Sequence, residues 1–252
     1  MGGRRSLIAS AALALAVLTG CGTADGLDIA DGRPAGGKAA EAATGTSPLA
    51  NPDGTRPGLA AITSADERAE ARALIERLRT KGRGPKTGYE REKFGYAWAD
   101  SVDGIPFGRN GCDTRNDVLK RDGQRLQFRS GSDCVVISMT LFDPYTGKTI
   151  EWTKQNAAEV QIDHVVPLSY SWQMGASRWS DEKRRQLAND PLNLMPVDGA
   201  TNSRKGDSGP ASWLPPRREI RCAYVVRFAQ VALKYDLPVT TADKETMLQQ
   251  CS

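Results

Sequence analysis

One histidine stands in the whole chain, His164, and it directly follows Asp163. A neutral imidazole, with an unperturbed pKa of ~6.5, is well matched to accept a proton as a general base. A lone histidine is more often a satisfied structural side chain, so its surroundings have to decide. Asp163-His164 ends a short β-branched run, Val160 to Ile162, and a second apolar segment runs from Leu192 to Val197 with Asn193 inside it. A turn and a polar segment follow, Ala200 to Asp207, carrying Asn202, Arg204 and Lys205. A strand with Asp-His, a strand with Asn193 and a short helix with Asn202 would make a ββα unit.

These segments read D-H-V-V-P-L, N-L-M-P-V and N-S-R-K-G-D, in that order, with W-L-P-P beyond. Together they resemble the HNH (His-Me finger) nucleases, and more closely secreted actinobacterial members whose domain is shared with the C-terminal part of modification-dependent restriction enzymes. The resemblance runs from Tyr89 to Cys251. It implies an α+β fold with a ββα-metal core, added helices and hydrolysis of a phosphodiester by in-line attack of water. His164 matches the general base, Asp163 and Asn202 the metal ligands, and Asn193 the asparagine that braces the histidine loop. Lys205, and less directly Arg204, would face substrate phosphate. One divalent ion per site is implied, Mg²⁺ or Mn²⁺, because a hard cation that keeps several waters needs only one carboxylate and one amide oxygen. Many members carry a second histidine where this chain has Asn202. The segment from Ser169 to Asp190 is a long insertion between the two strands.

Composition bounds the partners. Lysine plus arginine minus acids gives 34 − 30 = +4, and losing Arg4 and Arg5 with a leader leaves +2. The mature chain is nearly neutral, so nucleic acid would have to be attracted by local patches. Arg178 to Arg221 holds nine basic residues against six acidic ones, which on charge alone reads as an ordinary solvated surface.

Residues 1–20 read as a bacterial lipoprotein signal peptide, with Arg4 and Arg5 before an apolar stretch from Leu7 to Leu18 that is too short to span a bilayer. It ends in Leu18-Thr19-Gly20-Cys21, which resembles a lipobox and would leave Cys21 as a lipidated N-terminus. The alternative is an ordinary secretory leader, and either Sec or twin-arginine export fits. Residues 21–60 are rich in small and polar residues and predict a flexible tether, followed by a nuclease domain at 61–252. Within it, Ser64-x-x-Glu67 is a helix-capping box, and Leu74, Ile75 and Leu78 give an apolar stripe that packs on the domain or on a partner. Tyr89 to Trp98 interleaves aromatics with Arg91 and Lys93, the composition of a base-stacking platform or of core residues beside long cations. Arg115, in C-D-T-R, suits a bidentate phosphate contact or an ion pair with Asp113 or Asp117. Val135–Phe142 and Thr149–Thr153 read as strands about an Asp-Pro-Tyr-Thr-Gly turn. Helices are expected over Leu168–Gly175, Asp181–Leu187, Glu219–Tyr235 (with one buried face) and Ala242–Gln249.

Apart from Cys21, the chain has Cys112, Cys134, Cys222 and Cys251, none in a C-x-x-C pair, which disfavours zinc. An even number in an exported chain predicts disulfides, and of three connectivities we expect the two local ones, Cys112–Cys134 and Cys222–Cys251.

The sequence therefore predicts a surface-anchored, monomeric endonuclease acting mainly on DNA, with little sequence preference because no separate reading module is present. The rival is a non-catalytic surface lipoprotein that binds nucleic acid or cell wall on the same scaffold. Anchoring is checked by detergent partitioning: wild-type protein should enter the detergent phase and Cys21→Ser should escape lipoprotein processing. Unmodified wild-type protein, free in the medium, would contradict it.

Overall fold

The structure, a computed structural model, describes residues 45–252, so the leader, Cys21 and the tether up to residue 44 lie outside the described residues. No helix among the described residues is long and apolar enough to cross a membrane.

Among the described residues, two small antiparallel sheets and seven α-helices make up a mixed α/β architecture. Helix α1 (Ala65–Glu76) starts where the capping box places it: the Ser64 hydroxyl accepts from the Glu67 amide at 3.2 Å and donates to its carboxylate at 3.1 Å. Ala71 and Ile75 form its buried face, packed on the domain's own long helix. Helix α2 (Thr114–Asp122) is capped by Asp113, and Val118 and Leu119 bury against the sheet that follows. That sheet is β1 (Gln124–Phe128), β2 (Val136–Phe142) and β3 (Thr149–Thr153) in sequential order. Strand β1 has a mostly exposed side-chain pattern and an irregular register, so it gives no period-two signal to read in advance.

Strand β4 (Val160–His164) pairs antiparallel with β5 (Leu194–Asp198), with Asp163 opposite Met195 and His164 opposite Leu194. Between them lie α3 (Leu168–Met174) and α4 (Asp181–Asn189), and α5 (Gly199–Lys205) follows β5 at once. The pair is buried from both sides. Val160, Ile162 and Leu194 join the cluster around Trp152, while Met195 and Val197 join the larger core. Because side chains alternate along a strand, Gln161 and Asp163 share one face and His164 lies with Val160 and Ile162 on the other.

Helix α6 (Arg221–Lys234) differs from expectation. Its periodicity predicts one buried face, but every residue from Cys222 to Ala232 is buried. The reason is that α1, α7 (Thr241–Gln250) and the turn at Pro48–Ala50 all pack around it, so it is the axis of the larger core. The tether boundary differs too. Residues 45–60 lie against the domain, with Pro48, Asn51 and Leu59 buried. Gln230 donates to the Pro48 carbonyl at 2.7 Å and Arg121 to the Gly54 carbonyl at 2.7 Å, so buried donors hold a backbone whose own side chains offer little. Both disulfides pair as expected: Cys112–Cys134 joins the start of α2 to β2, and Cys222–Cys251 ties α7 to α6. Two such local bridges typically add ~2–4 kcal/mol each.

Asp117 on α2 is buried with one oxygen held by the Asn110 amide at 2.8 Å and the other, Oδ2, without a partner. Burial pushes its carboxyl up to about 6. A folded-state pKa raised above the unfolded one means stability is lost as pH rises from the ordinary carboxylate range through about 6. Asp117→Asn removes that dependence. Its thermal midpoint should exceed that of the wild type at pH 7, by an amount equivalent to roughly 1–3 kcal/mol, and the gain should vanish near pH 4. Equal midpoints at both pH values would contradict the assignment.

Candidate active site

A cleft of about 880 Å³ runs beside β4 and the start of α3 and reaches α5. Asp163, His164 and Asn202 all line it, as does Arg115. Three further cations reach its wall, Lys86, Arg91 and Lys154. The wall thus carries both signs around the one histidine, these four cations beside Asp113, Asp163 and Asp207, the last of which pairs with Lys86 at 3.0 Å.

His164 is 8% exposed. Its Nε2 lies 2.9 Å from the Ala188 carbonyl. A carbonyl only accepts, so Nε2 carries the hydrogen and Nδ1 keeps a bare lone pair. Burial, helped by the charge of Arg91, pulls the imidazole down to about 4, which leaves the ring neutral at pH 7. The Trp98 indole stacks on it, with centroids 5.9 Å apart and planes 13° from parallel. These features give a fixed, neutral proton acceptor with one defined accepting nitrogen.

Asn193 holds the chain just after His164. Its side-chain oxygen accepts from the Val166 amide at 2.8 Å, its nitrogen donates to the Leu187 carbonyl at 3.1 Å, and its backbone carbonyl accepts from the Val165 amide at 2.8 Å. Strand β5 and the insertion are thereby locked to the turn that follows β4. An amide is suited to this, since it donates and accepts from one rigid group.

Lys205 sits elsewhere than the sequence suggests. It is 1% exposed, and its ammonium donates to both Asp163 oxygens at 2.7 and 2.9 Å and to the His164 carbonyl at 2.7 Å. It therefore does not face the cleft as a phosphate contact. The last turn of α5 points it inward, across the face of β4 that carries Asp163. Burial pulls its pKa down, and the adjacent carboxylate holds the proton on. Tyr145 completes the cluster, donating to Asp163 Oδ2 at 2.6 Å from within the Asp143–Gly147 turn. Asp143 accepts from the Tyr145 and Thr146 amides and fixes that turn. The burial of Tyr145 and the Asp163 charge raise its phenol pKa well above the ordinary value, so it stays a donor.

Asn202 is half-buried on α5 and donates its amide nitrogen to Gln161 Oε1 at 2.9 Å, which leaves the amide oxygen for a cation. Arg204 is exposed, donates to the Thr201 hydroxyl at 2.8 Å and is not part of the cleft lining. Arg115 pairs with neither Asp113 nor Asp117. It lies over the Trp152 ring, 6.0 Å from its centroid, with its guanidinium reaching the Val160 carbonyl at 3.4 Å. Tyr145, Gln161 and Lys154 were not legible as site residues. Only Gln161 left a signal, because a residue two before Asp163 on a strand must share its face. Among the described residues no three His, Cys, Asp or Glu side chains gather as a metal cluster. Any ion here would rest on one carboxylate and amide oxygens, which is oxygen chemistry for a hard cation.

Removing one partner of a buried ion pair leaves the other charge uncompensated, at a cost of roughly 3–5 kcal/mol. Lys205→Met should therefore destabilise the domain by about that amount in urea unfolding at pH 7. Adding Asp163→Asn to the same chain should recover part of the loss. A single-variant loss below ~1 kcal/mol would show the pair to be unimportant for stability.

Residues 113–250 match the sequence pattern described as "GmrSD restriction endonucleases, C-terminal domain". A protein of the fungus Arthroderma benhamiae (strain ATCC MYA-4681 / CBS 112371), named "Uncharacterized secreted protein", is 41% identical over 186 residues, covering 72% of this chain and 84% of the relative. Its source lies outside the actinobacterial setting that the sequence suggested, and the two disulfides of this chain are of the kind that persists in oxidising compartments. No solved structure matches. With more than half of its length inside that pattern, the chain belongs to the family of the GmrSD restriction endonuclease C-terminal domain, a nuclease-related domain.

Proposed function

We propose that this protein is an exported, metal-dependent endonuclease of the HNH type that hydrolyses phosphodiester bonds of DNA with little sequence preference. The observation that carries the reading is one cleft in which a neutral, tautomer-fixed His164 meets Asp163 and Asn202 and is flanked by Arg91, Arg115 and Lys154. Membership of a restriction endonuclease family supports the same chemistry. The strand pair β4–β5 with α5 supports a ββα core as the scaffold.

The donors fit a hard divalent cation. Both Asp163 oxygens accept from Lys205 and Oδ2 also from Tyr145, so the cation would take the remaining lone pairs of a carboxylate already held in place, and the Asn202 oxygen is not used by its bond to Gln161. Held by Asp163 and Asn202, Mg²⁺ or Mn²⁺ would supply charge neutralisation at the phosphorus and the leaving oxygen. The protein's own side chains do the rest. Arg91, Arg115 and Lys154 hold the phosphate backbone along the cleft. His164 Nδ1 takes the proton from a water placed in line with the scissile bond, and Ala188 and Asn193 keep the ring aimed. Departure of the 3′-oxygen would leave 5′-phosphate and 3′-hydroxyl ends. Lys205 and Tyr145 keep the Asp163 carboxylate in place. At the N-terminus, a lipidated Cys21 would hold this domain at the outer face of the membrane.

Plasmid cleavage by the purified domain, with Mg²⁺ or with EDTA, is the deciding experiment. Loss of a general base costs ~10²–10⁴ in rate, so His164→Ala should be nearly inactive at every Mg²⁺ concentration. Asn202→Ala loses only a neutral ligand, so its defect should shrink as Mg²⁺ or Mn²⁺ rises. Near wild-type cleavage by His164→Ala would remove this mechanism. A wild-type domain that binds DNA but never cuts it would favour the binding-only rival.

A further inference from the structure

The aromatic stretch from Tyr89 to Trp98 divides in the structure. Phe94 is buried, and Tyr89 packs on it and on Trp172 with centroids 6.2 Å apart in each case, so these two belong to the core. Tyr96 does the reverse: it is 91% exposed, the one exposed large hydrophobic side chain among the described residues. Trp98 is half-buried against His164 and sits at φ +62°, in the left-handed region that a bulky side chain rarely adopts. Strain of this kind persists only where the surroundings over-determine it, and it gathers at functional sites.

Between these aromatics and α4 lies a second pocket, of about 180 Å³, walled by Phe94, Tyr96, Trp98, Ala188 and Asn189. Arg91, Trp98, His164 and Leu168 line both this pocket and the main cleft, so the two adjoin at the histidine. Its volume is small beside drug-sized pockets of roughly 300–1,000 Å³ and suits a single planar ring system. The walls are mostly aromatic and apolar, with the Asn189 amide and the Glu92 carboxylate as polar groups, whereas the neighbouring cleft carries Arg91, Arg115 and Lys154 beside Asp113 and Asp163. A ligand that fits both has a flat ring at one end and an anion at the other.

We propose that this pocket, with Tyr96 at its mouth, takes the unpaired base of a nucleotide adjoining the phosphate held at His164. The inference rests on the nuclease reading above and specifies its substrate. A base inside a duplex is stacked and paired and cannot enter, so the preferred substrate is single-stranded or locally unpaired nucleic acid. Stacking on aromatic side chains tolerates every base, because each has a π-face, and this agrees with a cleft that selects for strand state rather than sequence.

The test measures binding of two end-labelled oligonucleotides of equal length, with EDTA present so that neither is cut. One is single-stranded DNA, and the other carries the same sugar-phosphate backbone with abasic sites. The wild type should bind the base-bearing strand about tenfold more tightly, a difference of ~1.4 kcal/mol. Tyr96→Ala should lose most of that difference while keeping the wild-type affinity for the abasic strand, and Tyr96→Phe should retain it. Tyr96 is exposed, so its replacement does not disturb the core. Equal wild-type affinity for the two strands, or a Tyr96→Ala variant with the full preference, would overturn the base pocket and leave the nuclease reading standing. A wild type that binds neither strand would remove the cleft reading and this proposal together.

Discussion

The buried contact between Lys205 and Asp163 is the constraint on which the site depends. One ammonium, almost wholly out of water, donates to both carboxylate oxygens and to the backbone carbonyl of His164. It joins the end of α5 to the end of β4, so a shift of either element would strand a charge in the core. Desolvating two ions is costly, and such a pair is a poor source of net stability compared with apolar packing. Its value is geometric. With Tyr145 held beneath Asp163 by the Asp143 turn, the carboxylate has one allowed orientation, and its neighbour His164 inherits a fixed backbone position.

The same logic of fixed alternatives governs the histidine. Ala188 settles which nitrogen carries the hydrogen, Asn193 holds the residues that follow, and the Trp98 indole covers the ring. Burial keeps the imidazole neutral at pH values where a solvated histidine would be partly protonated. Under the proposed mechanism these contacts remove reorganisation that would otherwise accompany proton transfer. They also join the strands across a long insertion: Ala188 belongs to α4 and Asn193 leads into β5, so the helices between the strands serve to aim the ring as well as to fill space.

Charge is distributed to match. The chain as a whole is close to neutral, yet Lys86, Arg91, Arg115 and Lys154 reach the same cleft from distant parts of the sequence. Their separation in the chain explains why no run of basic residues announces them. Under the proposed function these cations would hold phosphate locally, beside the aspartates of the same cleft, without the broad basic surface that binds polyanions indiscriminately.

Much of the fold was legible because its signals are local. The capping hydroxyl of Ser64, the alternation around Val160 and Ile162 and the turn residues from Asp143 to Gly147 each act within a few positions. The two disulfides follow from an even cysteine number and short loops. The D-H-V-V-P-L and N-S-R-K-G-D segments marked the stretch that lines the cleft, and the bracing role of Asn193 was implied by the resemblance to HNH nucleases, not by its position. What the sequence could not decide was direction across space. Lys205 reads as a solvent-facing cation until the last turn of α5 aims it at Asp163, and Arg204 beside it points away. Tyr145 reads only as a turn residue, since nothing in its neighbourhood says that β4 passes over it. Helix α6 carries an apolar stripe, but its complete burial depends on α1, α7 and residues 45–60 closing around it. Periodicity and capping are properties of a few adjacent residues and survive in the bare sequence. Which partner a long side chain meets is set by how separate elements pack, and that is decided only when the chain has folded.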